Sequence, residues 1–346
     1  MIIIHAADLH LSQNRPERLE VLQWIIKTAA RDKSDLIIIA GDLFDSDKDS
    51  TLLRTDVKKM IEVSKIPVLI SSGNHDSRSY GADTDYGNNA IILYQTPFHT
   101  VEIDSLRFAA IPYQEKKFSE CINSLPNNID VLIAHGTLYD TKFIFSLIED
   151  SDTAYMPILP QNLEGIARYV ALGHLHSQHR SFQYDNTVAA YPGSAIATDI
   201  KCVGPRVIYK VYIDAGTITV KPVEIDIASY YVIKEFFIFP DNQDRIIEDI
   251  MIYLKTINDK RIIPSIYING FTSVNEIEFK GQIKEIEEDT SRHYPGFKIN
   301  INIQDWHLIM EHHLVKRFVE KSANIDPVMR MKIYELAFPV FYDLLK

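Results

Sequence analysis

Cysteine is scarce in this chain: 346 residues hold only Cys121 and Cys202, far apart and in no CxxC pattern. That excludes a disulfide framework and a thiolate zinc site. Long apolar runs are missing too, since no stretch approaches the roughly 18 to 20 residues of a membrane span. The apolar start, MIIIHAADLHLS, lacks the basic region and cleavage site of a secretory signal. A soluble, cytoplasmic chain with no membrane partner is therefore expected. Positive charge is in deficit, with 36 Lys and Arg against 47 Asp and Glu, a formal balance of −11. This argues against a broad basic nucleic-acid surface. A phosphate-bearing ligand would have to meet bound cations, local basic groups or a partner protein. Neither a low-complexity tract nor a fixed-period repeat is present. What remains is an ordinary globular composition, 46% hydrophobic, long enough for two or three domains and a sizeable core.

Five short runs rich in β-branched residues carry the main signal: MIIIHAAD, SDLIIIAGD, IPVLISSGNHD, IDVLIAHG and RYVALGHLH. Continuous apolar runs of this kind are strands covered on both faces. Between the first two, PERLEVLQWIIKTAARDK places Leu19, Leu22, Ile26 and Ala29 at helical spacing, and TLLRTDVKKMIEVSK repeats the pattern between the second and third. A βαβαβ opening of an α/β fold follows. His5, inside the first strand, is expected to pack or hydrogen-bond within the sheet.

Ligand sites of open α/β sheets lie beyond the carboxyl ends of the strands. Asp8 and His10, Asp42, Asn74 and His75, His135, and His174 and His176 all fall there. Random placement would not put five of the chain's 12 histidines just past strand ends. Carboxylates, an amide oxygen and imidazoles suit first-row divalent metals, and there are too many of them for one tetrahedral zinc. Two cations about 3.5 to 4 Å apart, sharing one carboxylate, would use them all and would neutralise phosphate oxygens while acidifying a water. Hydrolysis of a phosphate ester is the chemistry implied.

These blocks, DxH (Asp8, His10), GD (Gly41, Asp42), GNHD (Gly73 to Asp76), the His of AHG (His135) and GHxH (Gly173 to His176), resemble those of the calcineurin-like metallophosphoesterase superfamily, in the family's order. The resemblance implies an α/β sandwich of two mixed sheets flanked by helices. It assigns Asp8, His10 and His176 to one metal, Asn74, His135 and His174 to the other, and Asp42 to both. His75 would be catalytic, facing the scissile phosphate, with the catalytic-loop Asp76 fixing its orientation. Within the superfamily, IIIHAADLHLS, IIIAGDLFDS, VLISSGNHDS and YPGSAIATD resemble the SbcD-type DNA-repair nucleases, whose metals are usually manganese, with magnesium or another first-row metal as alternatives. Where archaeal and eukaryotic members carry His after GDLF, this chain has Asp45, which leaves transition-state help to His75.

Residues 1–226 are thus expected to form the nuclease domain. Past the hairpin around Asp214 to Gly216, YYVIKEFFIF, IPSIYINGF and FKININIQ read as strands, with DNQDRIIEDIMIYLKTIND and NEIEFKGQIKEIEEDTSRH as helical segments between them. A small α+β capping domain over 227–303 is expected, which the resemblance places over the active site to select DNA. From 304 to 346 the pattern is a helix-loop-helix opened at Asp326 and Pro327, with Pro339 expected to kink or end its second helix. The family docks such a segment onto an SMC-like ABC ATPase of the SbcC type, here through Trp306, Phe318, Phe338 and Phe341. Packing on the chain's own core is the simpler alternative. The resemblance also implies a homodimer.

The function expected is a dinuclear metal-dependent exo- or endonuclease acting on DNA in repair or recombination. One alternative is hydrolysis of cyclic nucleotides, phosphoproteins or other small phosphodiesters. Another is a scaffold or antiphage-complex subunit with a regulatory metal site.

Overall fold

A computed structural model describes residues 1–140, 155–177, 179–239, 242–272 and 276–344. Asp241 and Asn275, the first residues of two expected helical segments, lie outside the described residues. The chain divides into two compact units, Met1–Tyr230 and Tyr231–Lys346.

Two mixed six-stranded sheets build the first unit. One sheet is ordered β12-β11-β1-β2-β3-β4, from β1 (Ile2–Ala6), β2 (Leu36–Ala40), β3 (Val68–Ser71), β4 (Ala90–Leu93), β11 (Val207–Ile213) and β12 (Ile218–Glu224). The other is ordered β5-β6-β7-β8-β10-β9, from β5 (His99–Ile103), β6 (Leu106–Ile111), β7 (Ile129–His135), β8 (Ala167–Gly173), β9 (Arg180–Tyr184) and β10 (Thr187–Tyr191). Strands β1 to β4 run parallel, as do β6, β7, β8 and β10. Side chains alternate across a strand. Ile3, Leu36, Ile38, Val131, Ile133, Tyr169 and Ala171 therefore meet in one core between the sheets. Ile4, Ala6, Ile37 and Ile39 face the opposite way, onto α1 (Glu17–Arg31) and α2 (Asp47–Ser64). Both faces of these strands are covered, which is why they read as unbroken apolar runs.

His5 points into the core between the sheets. Its Nδ1 lies 2.7 Å from the Tyr169 hydroxyl, and burial pushes its pKa down to about 3, so the ring is a neutral core group.

Helix α2 begins four residues earlier than its apolar spacing suggests. Ser46 caps it, accepting from the Asp49 amide at 3.1 Å, and Asp47 and Asp49 place carboxylates at the positive end of the helix dipole.

The second unit holds a three-stranded sheet ordered β13-β14-β15 (Tyr230–Ile238, Ile262–Thr272, Lys298–Asp305) with helices Gln243–Thr256 and Glu276–Ser291. Three further helices follow: Trp306–Met310, His313–Ser322 and Pro327–Leu344. They do not stand apart from the strands, because Phe338 and Tyr342 are buried in a cluster with Phe239 and Phe271. Trp306, Phe318 and Phe341 pack against that same cluster, so the four aromatics predicted to anchor a partner serve the chain's own core. The last helix also runs through Pro339 instead of ending there. Buried Phe338 and Tyr342, on either side of the proline, hold both halves of that helix against the core. Among the described residues no helix is long and apolar enough to cross a membrane.

Candidate metal centre

The carboxyl ends of β1, β2 and β3 in one sheet, and of β7 and β8 in the other, bring the predicted residues together. The loops after β1 and β2 stay side by side, with the Asp8 amide donating to the Gly41 carbonyl at 3.1 Å and the His10 amide to the Asp42 carbonyl at 3.0 Å. Asp8, His10, Asp42 and His174 take positive φ angles of 52°, 46°, 48° and 106°. Such left-handed conformations cost free energy in non-glycine residues and are held only where surrounding structure over-determines them. Two glycines make room. A Cβ on Gly41, itself at φ 89°, would lie 2.1 Å from His135 Nδ1, and one on Gly73 would lie 2.0 Å from Asp42 Oδ1.

Two donor groups result. Asp8, His10, Asp42 and His176 each offer one atom, all within 4.8 Å of one another. His10 Nε2 is 3.0 Å from His176 Nε2 and 3.8 Å from Asp42 Oδ2, and His176 Nε2 is 3.8 Å from Asp8 Oδ1. The second group gathers around Asn74 Oδ1, with His135 Nε2 at 3.0 Å and His174 Nδ1 at 3.2 Å. His135 Nε2 is also 3.3 Å from Asp42 Oδ2. Asp42 therefore belongs to both groups.

The electrostatics call for cations. Asp8 and Asp42 are fully buried, and Asp42 Oδ2 has no hydrogen-bond partner among the described residues. An orphaned carboxylate oxygen in the interior is costly unless a charge meets it. Burial pushes Asp8 up to about 6, against the pull of His135 and with the help of Asp42. Burial acts on Asp42 in the same sense, but His135, His10 and His75 outweigh it and hold its carboxyl below the usual range. His135 is raised to about 9, the burial cost being overcome by Asp42 and Asp8. His176 is held well below the ordinary histidine value by burial and by His10. These donors fit divalent cations of the first row, which would take the place of the protons now shared among them.

His75 and Asp76 part company. The His75 backbone N–H donates to Asp42 Oδ1 at 2.9 Å, and its exposed ring lies with Nδ1 3.2 Å from the Asp45 carbonyl. Asp76, expected to orient that ring, is buried and accepts instead from the Gly73 amide at 2.9 Å, the Phe44 amide at 3.1 Å and the Tyr80 hydroxyl at 2.7 Å. It braces the GNHD loop against the GDLF loop, and Tyr80 completes that brace. Burial, reinforced by Asp42, pushes Asp76 up to about 6.

Sequence spacing missed the supports of the GHLH loop. Buried Arg206 donates to the His176 and Ser177 carbonyls, each at 2.6 Å, and to the Ser194 carbonyl at 2.9 Å. Thr198 Oγ1 lies 3.1 Å from His176 Nδ1. The only sequence signal near them is the PGS segment that follows GHLH.

The profile of the calcineurin-like phosphoesterase family matches residues 1–200. The chain is a calcineurin-like phosphoesterase. This phosphoesterase is 28% identical over 228 residues to the DNA double-strand break repair protein Mre11 of Aeropyrum pernix, a match covering 55% of this chain and 52% of that protein. The chain thus spans about half the length of that curated relative. Among solved structures, it is similar to a dimetal phosphatase from Danio rerio, with a TM-score of 0.40 at 9% identity over 64% of this chain and 95% of that one. It is similar also to TT1561 of Thermus thermophilus, with a TM-score of 0.40 at 10% identity over 64% and 98% of the two chains.

Proposed function

We propose that this phosphoesterase is a two-cation phosphodiesterase acting on DNA, the nuclease subunit of an SbcD-type complex. The observation that carries this reading is Asp42, whose buried Oδ2, without an aligned hydrogen bond among the described residues, stands between two sets of donors, 3.8 Å from His10 Nε2 and 3.3 Å from His135 Nε2. Asp8, His10 and His176 would hold one cation, Asn74, His135 and His174 the other, and Asp42 both, with manganese as the metal. Bound there, the cations would supply Lewis acidity to phosphate oxygens and lower the pKa of an attacking water. The protein's own part is to fix two sets of donors around one shared carboxylate, and to present His75 at the rim. His75 Nδ1 lies 3.2 Å from the Asp45 carbonyl, which can only accept, so a ring protonated on both nitrogens would turn its Nε2–H outward to stabilise or protonate the leaving oxygen. DNA as substrate is supported by the likeness to the archaeal break-repair protein, and cations at the site answer the chain's acidic balance. The 227–303 segment would serve as the cap that positions DNA.

The test is hydrolysis of linear duplex and hairpin DNA by the purified full chain, with manganese and with chelator, beside cyclic nucleotides and a phosphopeptide. Cleavage of DNA that requires the metal is expected. Turnover of a small phosphoester while both DNAs stay intact would reject DNA as the substrate.

An SMC-like ATPase of the SbcC type is the proposed partner. Met329, Leu336, Val340 and Leu344 are 57%, 78%, 56% and 74% exposed, at spacings that put them on one face of the last helix. Phe338 and Tyr342 take the opposite face into the core. Leu336→Glu with Val340→Glu should abolish co-purification with the ATPase and leave the melting temperature unchanged, because neither side chain is buried. Undiminished co-purification would exclude this face. The point substitutions are more decisive than truncation at residue 303, which would also uncover Phe239 and Phe271.

A further inference from the structure

Two of the inward-facing imidazoles of the candidate centre are held from behind by neutral groups, and behind a third stands a charged one. His135 Nδ1 donates to the Ala40 carbonyl at 3.0 Å, and His176 Nδ1 faces the Thr198 hydroxyl at 3.1 Å. His10 differs from both. Its Nδ1 is buried without an aligned hydrogen-bond partner among the described residues, and beside it, at 3.3 Å, stands the Asp45 carboxylate. That same Oδ1 lies 3.3 Å from Arg18 Nη1. Arg18, whose side chain is 10% exposed, also donates to the His10 carbonyl. One guanidinium from α1 therefore grips both the backbone of His10 and the carboxylate behind its ring.

We propose that Asp45 is a positioning residue of the metal centre: its carboxylate, steadied by Arg18, takes the Nδ1 proton of His10 in a hydrogen bond and keeps the Nε2 lone pair turned toward Asp8, Asp42 and His176. A neutral imidazole carries one N–H, so an acceptor at Nδ1 selects the tautomer with Nε2 free to bind a cation, and a carboxylate does so more strongly than a carbonyl or hydroxyl. The role belongs to the side chain alone. His75 meets residue 45 through the backbone carbonyl, a contact that survives any substitution there. Asp45 thus bears on the cation held by His10 and not on the one held by Asn74, His135 and His174.

This inference rests on the two-cation reading, and the experiment separates the two. Manganese alone is titrated calorimetrically into the full chain and into Asp45→Ala and Asp45→Glu, with melting temperatures and manganese EPR spectra recorded on the same samples. In Asp45→Ala one of the two manganese affinities should fall by about 10- to 100-fold while the other holds, with both sites still filling at saturation and the coupled EPR signal lost at intermediate metal. Asp45→Glu should recover much of the lost affinity. A merely structural role would lower both affinities together, along with the melting temperature. Equal titrations of wild type and Asp45→Ala would overturn the assignment. So would the disappearance of a third bound manganese, since His10, Asp45 and His75 also offer atoms within 4.8 Å of one another and Asp45 would then be a ligand itself. A wild type that binds no manganese would sink the two-cation reading along with this one.

Discussion

Asp42→Asn should bind neither cation with useful affinity and should lose hydrolysis entirely. The substitution keeps the size of the side chain and an oxygen able to accept from the His75 amide, now 2.9 Å from Oδ1. What it removes is the charge shared by both donor groups, so the loss falls on the two sites at once. Replacing any of the other donors should weaken one site more than the other. Folding should suffer somewhat as well. His135, His10 and His75 hold the Asp42 carboxyl below its usual range, so its charge stabilises the metal-free fold at neutral pH. Neutralising it should lower the melting temperature without metal, with relief of repulsion on Asp8 and Asp76 offsetting part of the loss. The readout is thermal stabilisation by manganese. A ligand at 100 times its Kd stabilises the native state by about 2.7 kcal/mol, a shift that wild type should show and Asp42→Asn should not. The pH dependence of wild-type binding has a definite sign. Cations must displace protons, from Asp8 near pH 6 and from His135 up to about pH 9. Affinity should therefore rise with pH across that window and level off above it. Manganese stabilisation of Asp42→Asn equal to wild type would remove this residue from the centre.

The strands that carry the site were legible because burial on both faces leaves an unmistakable run, and because loops at their carboxyl ends hold residues with no packing reason to be there. The supports behind the donors were not. Ala40 contributes a backbone carbonyl, which no side-chain pattern reveals, and Thr198 and Arg206 reach the GHLH loop from 22 and 30 residues downstream. The β5–β6 hairpin also escaped notice. Its two-residue turn uses Asp104 and Ser105 at φ 49° and 65°, where the usual Asn-Gly or Asp-Gly signal is absent. In the second unit, aromatic spacing identified the 304–346 segment as helical, but neither the break after Met310 that makes three helices of the expected two nor which face meets solvent. The same heptad-like recurrence serves a private core or a partner, and only Phe239 and Phe271, more than 30 residues earlier, decide that Phe338 turns inward. Asp76 illustrates the same limit. Its place next to His75 suggested a catalytic pair, but alternation of direction along the loop sends the carboxylate into the core and leaves the imidazole outside.

His75→Ala should lower kcat by about 10² to 10⁴-fold, equivalent to roughly 3 to 5 kcal/mol of transition-state stabilisation, while both cations stay bound. The geometry separates this residue from the donors. Its backbone N–H holds Asp42 Oδ1, and that contact does not depend on the side chain. Its ring stands edge-on to His10 with centroids 4.8 Å apart, on the exposed side where a phosphate would arrive. Removing the imidazole therefore deletes a donor to the leaving oxygen without disturbing the carboxylate that links the two sites. Single-turnover hydrolysis and manganese titration on the same preparation distinguish the outcomes. A fall in kcat at unchanged KM and unchanged metal affinity, partly rescued by added imidazole, is expected of a group that acts in the transition state alone. Wild-type turnover would remove His75 from the chemistry, and a parallel loss of manganese would make it a ligand, with His10 and Asp45 as its neighbours.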